Sequence, residues 1–189
     1  MADLERHPFK PFLPEGAQVL FLGSFPPQER RWSIDFFYPN FINDFWRICG
    51  LRFYDNRDYF VSPQGRSFDK DRIVEFCNRR GIALFDTALA VKRLKDNASD
   101  KYLEIIEYTD INDLLAQIPD CKAIAATGQK SAEAIRAFFG CEMPVIGEHT
   151  AIVVGGRKIS FWRMPSTSRA YPLPLERKAE VYKRLFDSL

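Results

Sequence analysis

Short apolar runs, each cut off by glycine, proline or a polar pair, set the architecture open to this chain. The run Ala17-Gln18-Val19-Leu20-Phe21-Leu22 ends in Gly23-Ser24-Phe25-Pro26-Pro27. Such a run reads as a buried strand, and the two prolines can continue neither a ladder nor a helix interior. The same pattern returns at 82–85, which stops at Asp86-Thr87, and at 123–126, which stops at Thr127-Gly128. Helical segments lie between these runs. Asp69 caps a helix to Arg80 that Gly81 stops, Asp110 caps a short helix carrying Ile111, Leu114, Leu115 and Ile118, and Gly140 closes a helix over 129–139. Residues 43–49 read as a short helix with Phe45, Trp46 and Cys49 inward. Residues 151–154 and 158–163 read as two strands around Gly155-Gly156. A loop over 165–174 leads to a closing helix over 175–189. Strands alternating with helices imply an α/β chain: a three-layer α/β/α sandwich with a central, mainly parallel sheet of about four strands. Ligands of such sheets bind beyond the carboxyl ends of the strands. That rule selects three loops: 23–27, the loop that begins at Asp86-Thr87, and 164–171.

Composition narrows the functional classes. The 189 residues suit one domain, 1–189, and the 46% hydrophobic and 28% charged content is ordinary for a soluble globular protein. A net charge of +2 excludes a polycationic tail as the main device for binding nucleic acid. That total conceals an uneven spread. Residues 155–184 hold eight basic and two acidic side chains, a net +6, so the rest of the chain carries −4. No apolar run approaches the ~20 residues needed to span a bilayer, and the first 14 residues hold no signal-peptide core. Cys49, Cys77, Cys121 and Cys141 form no CxxC pair. The expectation is four reduced thiols in a cytoplasmic monomer, with no metal and no cofactor. The 17 phenylalanines are the unusual number, and twelve of them fall between Phe9 and Phe76.

The selected loops, and the segment 38–46, each have a chemical and a structural reading. The glycine of Gly23-Ser24-Phe25-Pro26-Pro27 admits close approach of backbone N–H groups to a ligand, and it also serves an ordinary strand-ending turn. In Tyr38-Pro39-Asn40-Phe41-Ile42-Asn43-Asp44-Phe45-Trp46, two carboxamides sit among large rings. A carboxamide donates and accepts, so Asn40 and Asn43 can read a base edge or hold a water, or they can make a turn and cap a helix. In Met164-Pro165-Ser166-Thr167-Ser168-Arg169-Ala170-Tyr171-Pro172, hydroxyls and a guanidinium held between prolines suit phosphate contacts, as a polar surface loop also would. Asp86 at a strand end is either catalytic or a turn cap. Thr127-Gly128-Gln129-Lys130-Ser131 lacks Walker spacing, and no GxSxG elbow accompanies Ser166, Ser168 and His149.

Taken in order, Val19 through Pro26, Tyr38 through Trp46 and Met164 through Ser168 resemble the uracil-DNA glycosylase superfamily, most closely its hypoxanthine-DNA glycosylase branch. The segment from Phe85 to Asp100 and Ala126 through Lys130 are similar more loosely. The resemblance implies a base-excision repair enzyme that flips a deaminated base, uracil or hypoxanthine, out of DNA and cuts its N-glycosidic bond without a cofactor. It implies that Asn43 is the catalytic or base-reading carboxamide, that Tyr38 stacks on the base, and that Gly23, Ser24 and Phe25 contact it, with Asn40 close by. It implies that Ser166, Thr167, Ser168 and Arg169 press on the duplex and hold phosphates. Phe25 stands where the superfamily commonly has an acidic or amide side chain, Met164 stands where it often has histidine, and Phe41 replaces a proline of the branch. Those departures open an alternative: a nucleic-acid or nucleotide-binding module of the same fold with weak or lost catalysis.

Overall fold

The computed structural model describes residues 3–94 and 102–189. In chain order the elements are β1 (Leu4–Arg6), β2 (Val19–Gly23), a 3-10 turn (Glu29–Arg31), α1 (Phe45–Tyr54), α2 (Lys70–Arg80), β3 (Ile82–Asp86), β4 (Ala88–Arg93) and β5 (Leu103–Tyr108). There follow α3 (Ile111–Gln117), β6 (Ala123–Ala126), α4 (Gln129–Phe139), β7 (His149–Val154), β8 (Arg157–Arg163) and α5 (Leu175–Asp187).

The main sheet has five strands in the order β3-β2-β6-β8-β7. β2 runs parallel to β3 and β6, β6 runs parallel to β8, and β7 is antiparallel to β8. The sheet is therefore larger than the four or so strands expected, because the hairpin at 155–156 delivers both of its strands to one edge. Val19, Leu20, Phe21 and Leu22 are all fully buried. Since neighbouring side chains of a strand point to opposite faces, both faces of the sheet are covered. Phe21 meets Phe45 of α1 edge-on at 5.1 Å and lies 5.7 Å from Phe186 of α5, which places those two helices on its face.

The caps behave as the residue types dictate. Asp69 Oδ1 accepts the Arg72 N–H at the start of α2, and Gly81 ends that helix at φ 62°. A side chain at Gly81 would be strained at that angle and would crowd the Gly16 carbonyl. Asp110 accepts the N–H groups of Asn112 and Asp113 at the start of α3. Among the described residues no helix is long and apolar enough to cross a membrane. Cys49, Cys77, Cys121 and Cys141 are free thiols, and burial pushes Cys121 up to about 11.

A second sheet, antiparallel in the order β1-β4-β5, has no counterpart among the elements expected from the residue pattern. β4 starts two residues after β3 ends and pairs with β1, Leu4 opposite Lys92 and Arg6 opposite Ala90. The N-terminal chain then passes along the outer edge of β3, where Phe12 and Leu84 exchange both backbone hydrogen bonds, 3.0 and 2.9 Å. Phe25, Ala88, Val91 and Leu103 fill the seam between this sheet and the turn after β2. Part of the loosely similar segment, 95–100, lies outside the described residues.

Phe21→Ala is expected to cost about 3–5 kcal/mol in urea unfolding, because it empties the contact between sheet and helices. Val153→Ala, at a 72% exposed position, is expected to stay within about 0.5 kcal/mol.

Candidate functional site

The carboxyl ends of β2, β3, β6 and β8 open into one cleft of about 1020 Å³. Gly23, Ser24, Phe25, Tyr38, Asn40, Asn43, Ser166, Thr167, Ser168 and Arg169 all line it. Three segments far apart in sequence are thus brought together at the place the strand-end rule selects.

The turn after β2 is shaped by its neighbour. Thr87 N–H donates to the Gly23 carbonyl at 2.9 Å and Ala88 N–H to the Ser24 carbonyl at 3.2 Å. With those two carbonyls engaged, the N–H groups are part of what the turn's backbone can offer a ligand. Gly23 cannot be larger, because a Cβ there would overlap Oδ1 of Asp86. Phe25 is buried in the seam, with its ring edge-on to His7 at 5.4 Å. It is a structural ring as well as a cleft wall.

Residues 33–43 hold their irregular path through α1. Trp46 Nε1 donates to the Phe37 carbonyl at 3.1 Å, and the Arg47 guanidinium donates to the Phe41 carbonyl at 2.6 Å while lying over the Phe41 ring. Burial lowers the Arg47 pKa, with the nearby positive charge of Arg169 adding to the effect. Tyr38 sits at φ 50°, a left-handed conformation that costs a bulky residue about 1–3 kcal/mol. Two contacts hold it there: its ring stacks on Phe45 at 3.9 Å, and its hydroxyl bonds Thr127 Oγ1 at 3.0 Å. Burial, and then the charge of Asp86, push its pKa well above the usual tyrosine value. Tyr38 therefore has one ring face taken and stays a neutral phenol.

Both asparagines shape the backbone and line the cleft as well. Asn40 Oδ1 accepts the Ile42 N–H at 3.2 Å, and its backbone carbonyl accepts the Asn43 N–H at 2.8 Å. Asn43 Oδ1 accepts the Phe45 N–H at 2.9 Å at the entry to α1. That uses one of Asn43's lone pairs and leaves the second, with two N–H donors, as its offering to a ligand.

The loop after β8 is tied to Asp44, the neighbour of Asn43, through a buried ion pair. Lys178 of α5 is fully buried, and its Nζ lies 2.8 Å from Asp44 Oδ2 and 2.7 Å from the Ser168 carbonyl. Asp44 N–H in turn donates to the Thr167 carbonyl at 2.8 Å. Arg169, half exposed, stands 3.7 Å from Asp44. The basic stretch 155–184 is therefore not one patch. Lys178 is interior, Arg157 bonds carbonyls at the end of α3, Arg177 pairs with Glu180 and Arg184 with Glu148. Arg163 and Arg169 are the members that reach the cleft. Its charged lining is Arg31, Arg93, Lys130, Arg163 and Arg169 against Asp86 and Glu133, an excess of positive charge.

Two groups come forward that the strand-and-loop reading left aside or undecided. Asp86 lines the cleft at the end of β3, and His7 Nε2 lies 2.8 Å from its Oδ2. The His7 side chain is buried, its Nδ1 at hydrogen-bond distance from the Phe9 backbone, and its ring is surrounded by Phe9, Phe25, Phe37 and Phe85. Only the two-residue step from β3 into β4, and the pairing of β1 with β4, bring this histidine to the site. No local pattern around His7 signals that. Met164 is buried, its N–H donating to the Ala126 carbonyl. His149 is exposed on β7 against Trp162. Among the described residues no group of three or more His, Cys, Asp or Glu is arranged to hold a metal ion.

No protein-family model matches the chain, and no curated protein matches it. Its fold is shared with the solution NMR structure of a "putative uracil DNA glycosylase" from Methanosarcina acetivorans. That likeness has a TM-score of 0.65 and 22% sequence identity, over 98% of this chain and 98% of that one.

Lys178→Met leaves the buried Asp44 carboxylate with only the half-exposed Arg169, 3.7 Å away, and is expected to cost about 3–5 kcal/mol in urea unfolding. Lys183→Met, exposed and 4.0 Å from Asp187, is expected to stay within about 0.5 kcal/mol. Tyr38 and Tyr182 both have raised pKa values, chiefly through burial. Their contribution to stability is fully present below about pH 10, where a free tyrosine begins to ionise, and is lost as pH rises beyond it. Urea midpoints from about pH 8 to pH 11 should fall, and Tyr38→Phe should flatten the fall.

Proposed function

We propose that this chain is a monofunctional DNA glycosylase, acting as a monomer, that extrudes a deaminated base, uracil or hypoxanthine, and hydrolyses its N-glycosidic bond. The observation that carries the reading is the convergence of Gly23 through Phe25, Tyr38 through Asn43 and Ser166 through Arg169 on one positively lined cleft at the strand ends. The fold shared with the archaeal structure supports it.

In the reaction the bond from C1′ to the base nitrogen breaks and its electron pair leaves on the base, while the sugar acquires oxocarbenium character. The water oxygen bonds to C1′, and the surplus proton passes to the base or to solvent. Asn43, with its free donors and one lone pair, orients the water or the base. The N–H groups of the turn at Ser24 and Phe25 take negative charge developing on the base. Arg169 pairs with a backbone phosphate. Extrusion costs a few kcal/mol, and stacking on the open face of Tyr38 returns about 1–3 kcal/mol.

A second reading, a binding module without catalysis, is favoured by the inward packing of Phe25 and Met164 at positions where the superfamily commonly keeps polar side chains. One assay separates the two. Single-turnover incubation with uracil and hypoxanthine duplexes, scored for abasic sites, should give product, and Asn43→Ala should slow it by about 10²-fold or more. Salt-sensitive DNA binding without abasic product would establish the binding module instead.

A further inference from the structure

The turn that presents the Ser24 and Phe25 N–H groups runs on through Pro26 and Pro27, and neither proline has an N–H with which to anchor the exit. The segment is held through its carbonyls instead. Thr87 donates its N–H at 2.9 Å and its Oγ1 at 3.1 Å to the Gly23 carbonyl, and the Ala88 N–H donates to the Ser24 carbonyl. Both residues lie where β3 passes into β4. Trp32 Nε1 donates to the Pro27 carbonyl at 2.7 Å, which ties the segment to itself. The Pro26 carbonyl is reached from the far end of β4: Arg93 Nη2 donates to it at 3.2 Å. That guanidinium is itself clamped. The side chain is 6% exposed, and Glu5 of β1 meets it with both oxygens, Nε to Oε1 at 3.0 Å and Nη2 to Oε2 at 2.9 Å. A two-point pair fixes the plane of the guanidinium as well as its place. Glu5 stands opposite Val91 in the pairing of β1 with β4, so its carboxylate is carried on a paired strand. Arg93 lines the cleft, and no step of the proposed reaction uses it.

We propose that Arg93, clamped by Glu5, is a positioning residue of the site: it fixes the exit of the 23–27 turn so that the Ser24 and Phe25 N–H groups stay aimed at the departing base. This rests on the glycosylase reading and adds the N-terminal strand to the machinery of the reaction. Donors that face developing charge work by being held in place beforehand, and a misplacement of about 1 Å can cost about 10²-fold in rate. Residue 93 therefore has to supply the geometry of a fork, and positive charge alone does not suffice. Lysine keeps the charge and lacks the rigid planar fork that meets a carboxylate at two points.

The test is Arg93→Lys, read on uracil and hypoxanthine duplexes as a single-turnover rate at saturating protein and, separately, as an equilibrium dissociation constant. The rate should fall at least about tenfold while the dissociation constant stays within about threefold, because the charge of the cleft is unchanged. Glu5→Gln, which leaves Arg93 in place without its ionic clamp, should slow the rate at least about threefold. Arg6→Gln breaks an exposed pair with Glu107 on the same strand and should change neither quantity beyond about twofold. A parent-like rate for Arg93→Lys, or a loss of rate that tracks a loss of affinity in both Arg93→Lys and Glu5→Gln, overturns the assignment while leaving the glycosylase reading intact. If the parent yields no abasic product, the glycosylase reading fails, and the order of the turn decides Arg93 separately. In ¹⁵N relaxation the Ser24 and Phe25 amides of the parent should be rigid, with order parameters of about 0.85. In Arg93→Lys and Glu5→Gln they should fall toward about 0.6 while those of Val19 through Leu22 hold. Equal order parameters in parent and variants overturn the assignment.

Discussion

The buried pair of Lys178 and Asp44 joins residues that lie 134 positions apart in the sequence. Lys178 belongs to the closing helix, Asp44 to the entry of α1, and the Ser168 carbonyl, which also receives the ammonium, to the loop after β8. An ammonium with no solvent exposure is tolerated only when its hydrogens are matched, so these three groups fix one another's positions. Asn43 immediately precedes Asp44, and Thr167 accepts the Asp44 N–H, so the same cluster sets the spacing between two walls of the cleft. The ion pair thus specifies where the loops stand, and its chief contribution is geometry.

The opposite wall is organised by a hydrogen bond. Asp86 ends β3, His7 arrives from the N-terminal segment, and a cage of four phenylalanines keeps the imidazole in place. The second sheet acquires a role from this arrangement: by pairing β1 with β4 it delivers His7 beside the end of β3. The aromatic excess of the first part of the chain divides in the same way. Phe21 and Phe45 join the sheet to its helices, Phe45 also backs the strained Tyr38, and Phe9, Phe25 and Phe37 enclose His7.

Much of the main sheet was legible in the residues because β2, β3 and β6 are covered on both faces and hence uniformly apolar, each stopped by a residue type that ends a ladder. The caps were legible for a similar reason: Asp69, Gly81, Asp110 and Gly140 act within one turn of themselves. The strands β4 and β5 were not, since Ala88 through Arg93 carries no clear alternation and its pairing with β1 joins residues far apart in sequence. The basic stretch misled for the same reason. A charge count along the chain cannot register that Lys178 turns inward to Asp44 or that Arg157 turns to the end of α3.

By itself the sequence determined an α/β chain with a parallel sheet, the three loops at its strand ends, and the side chains those loops carry. These follow from local rules of hydrophobic period, capping and turn chemistry. Only the tertiary structure decided that ten residues from 23–25, 38–43 and 166–169 line a single cleft, that Phe25 and Met164 pack inward, and that His7 stands behind Asp86. Each of those depends on contacts between residues far apart in the chain, where burial and hydrogen-bond partners are settled by the folded whole.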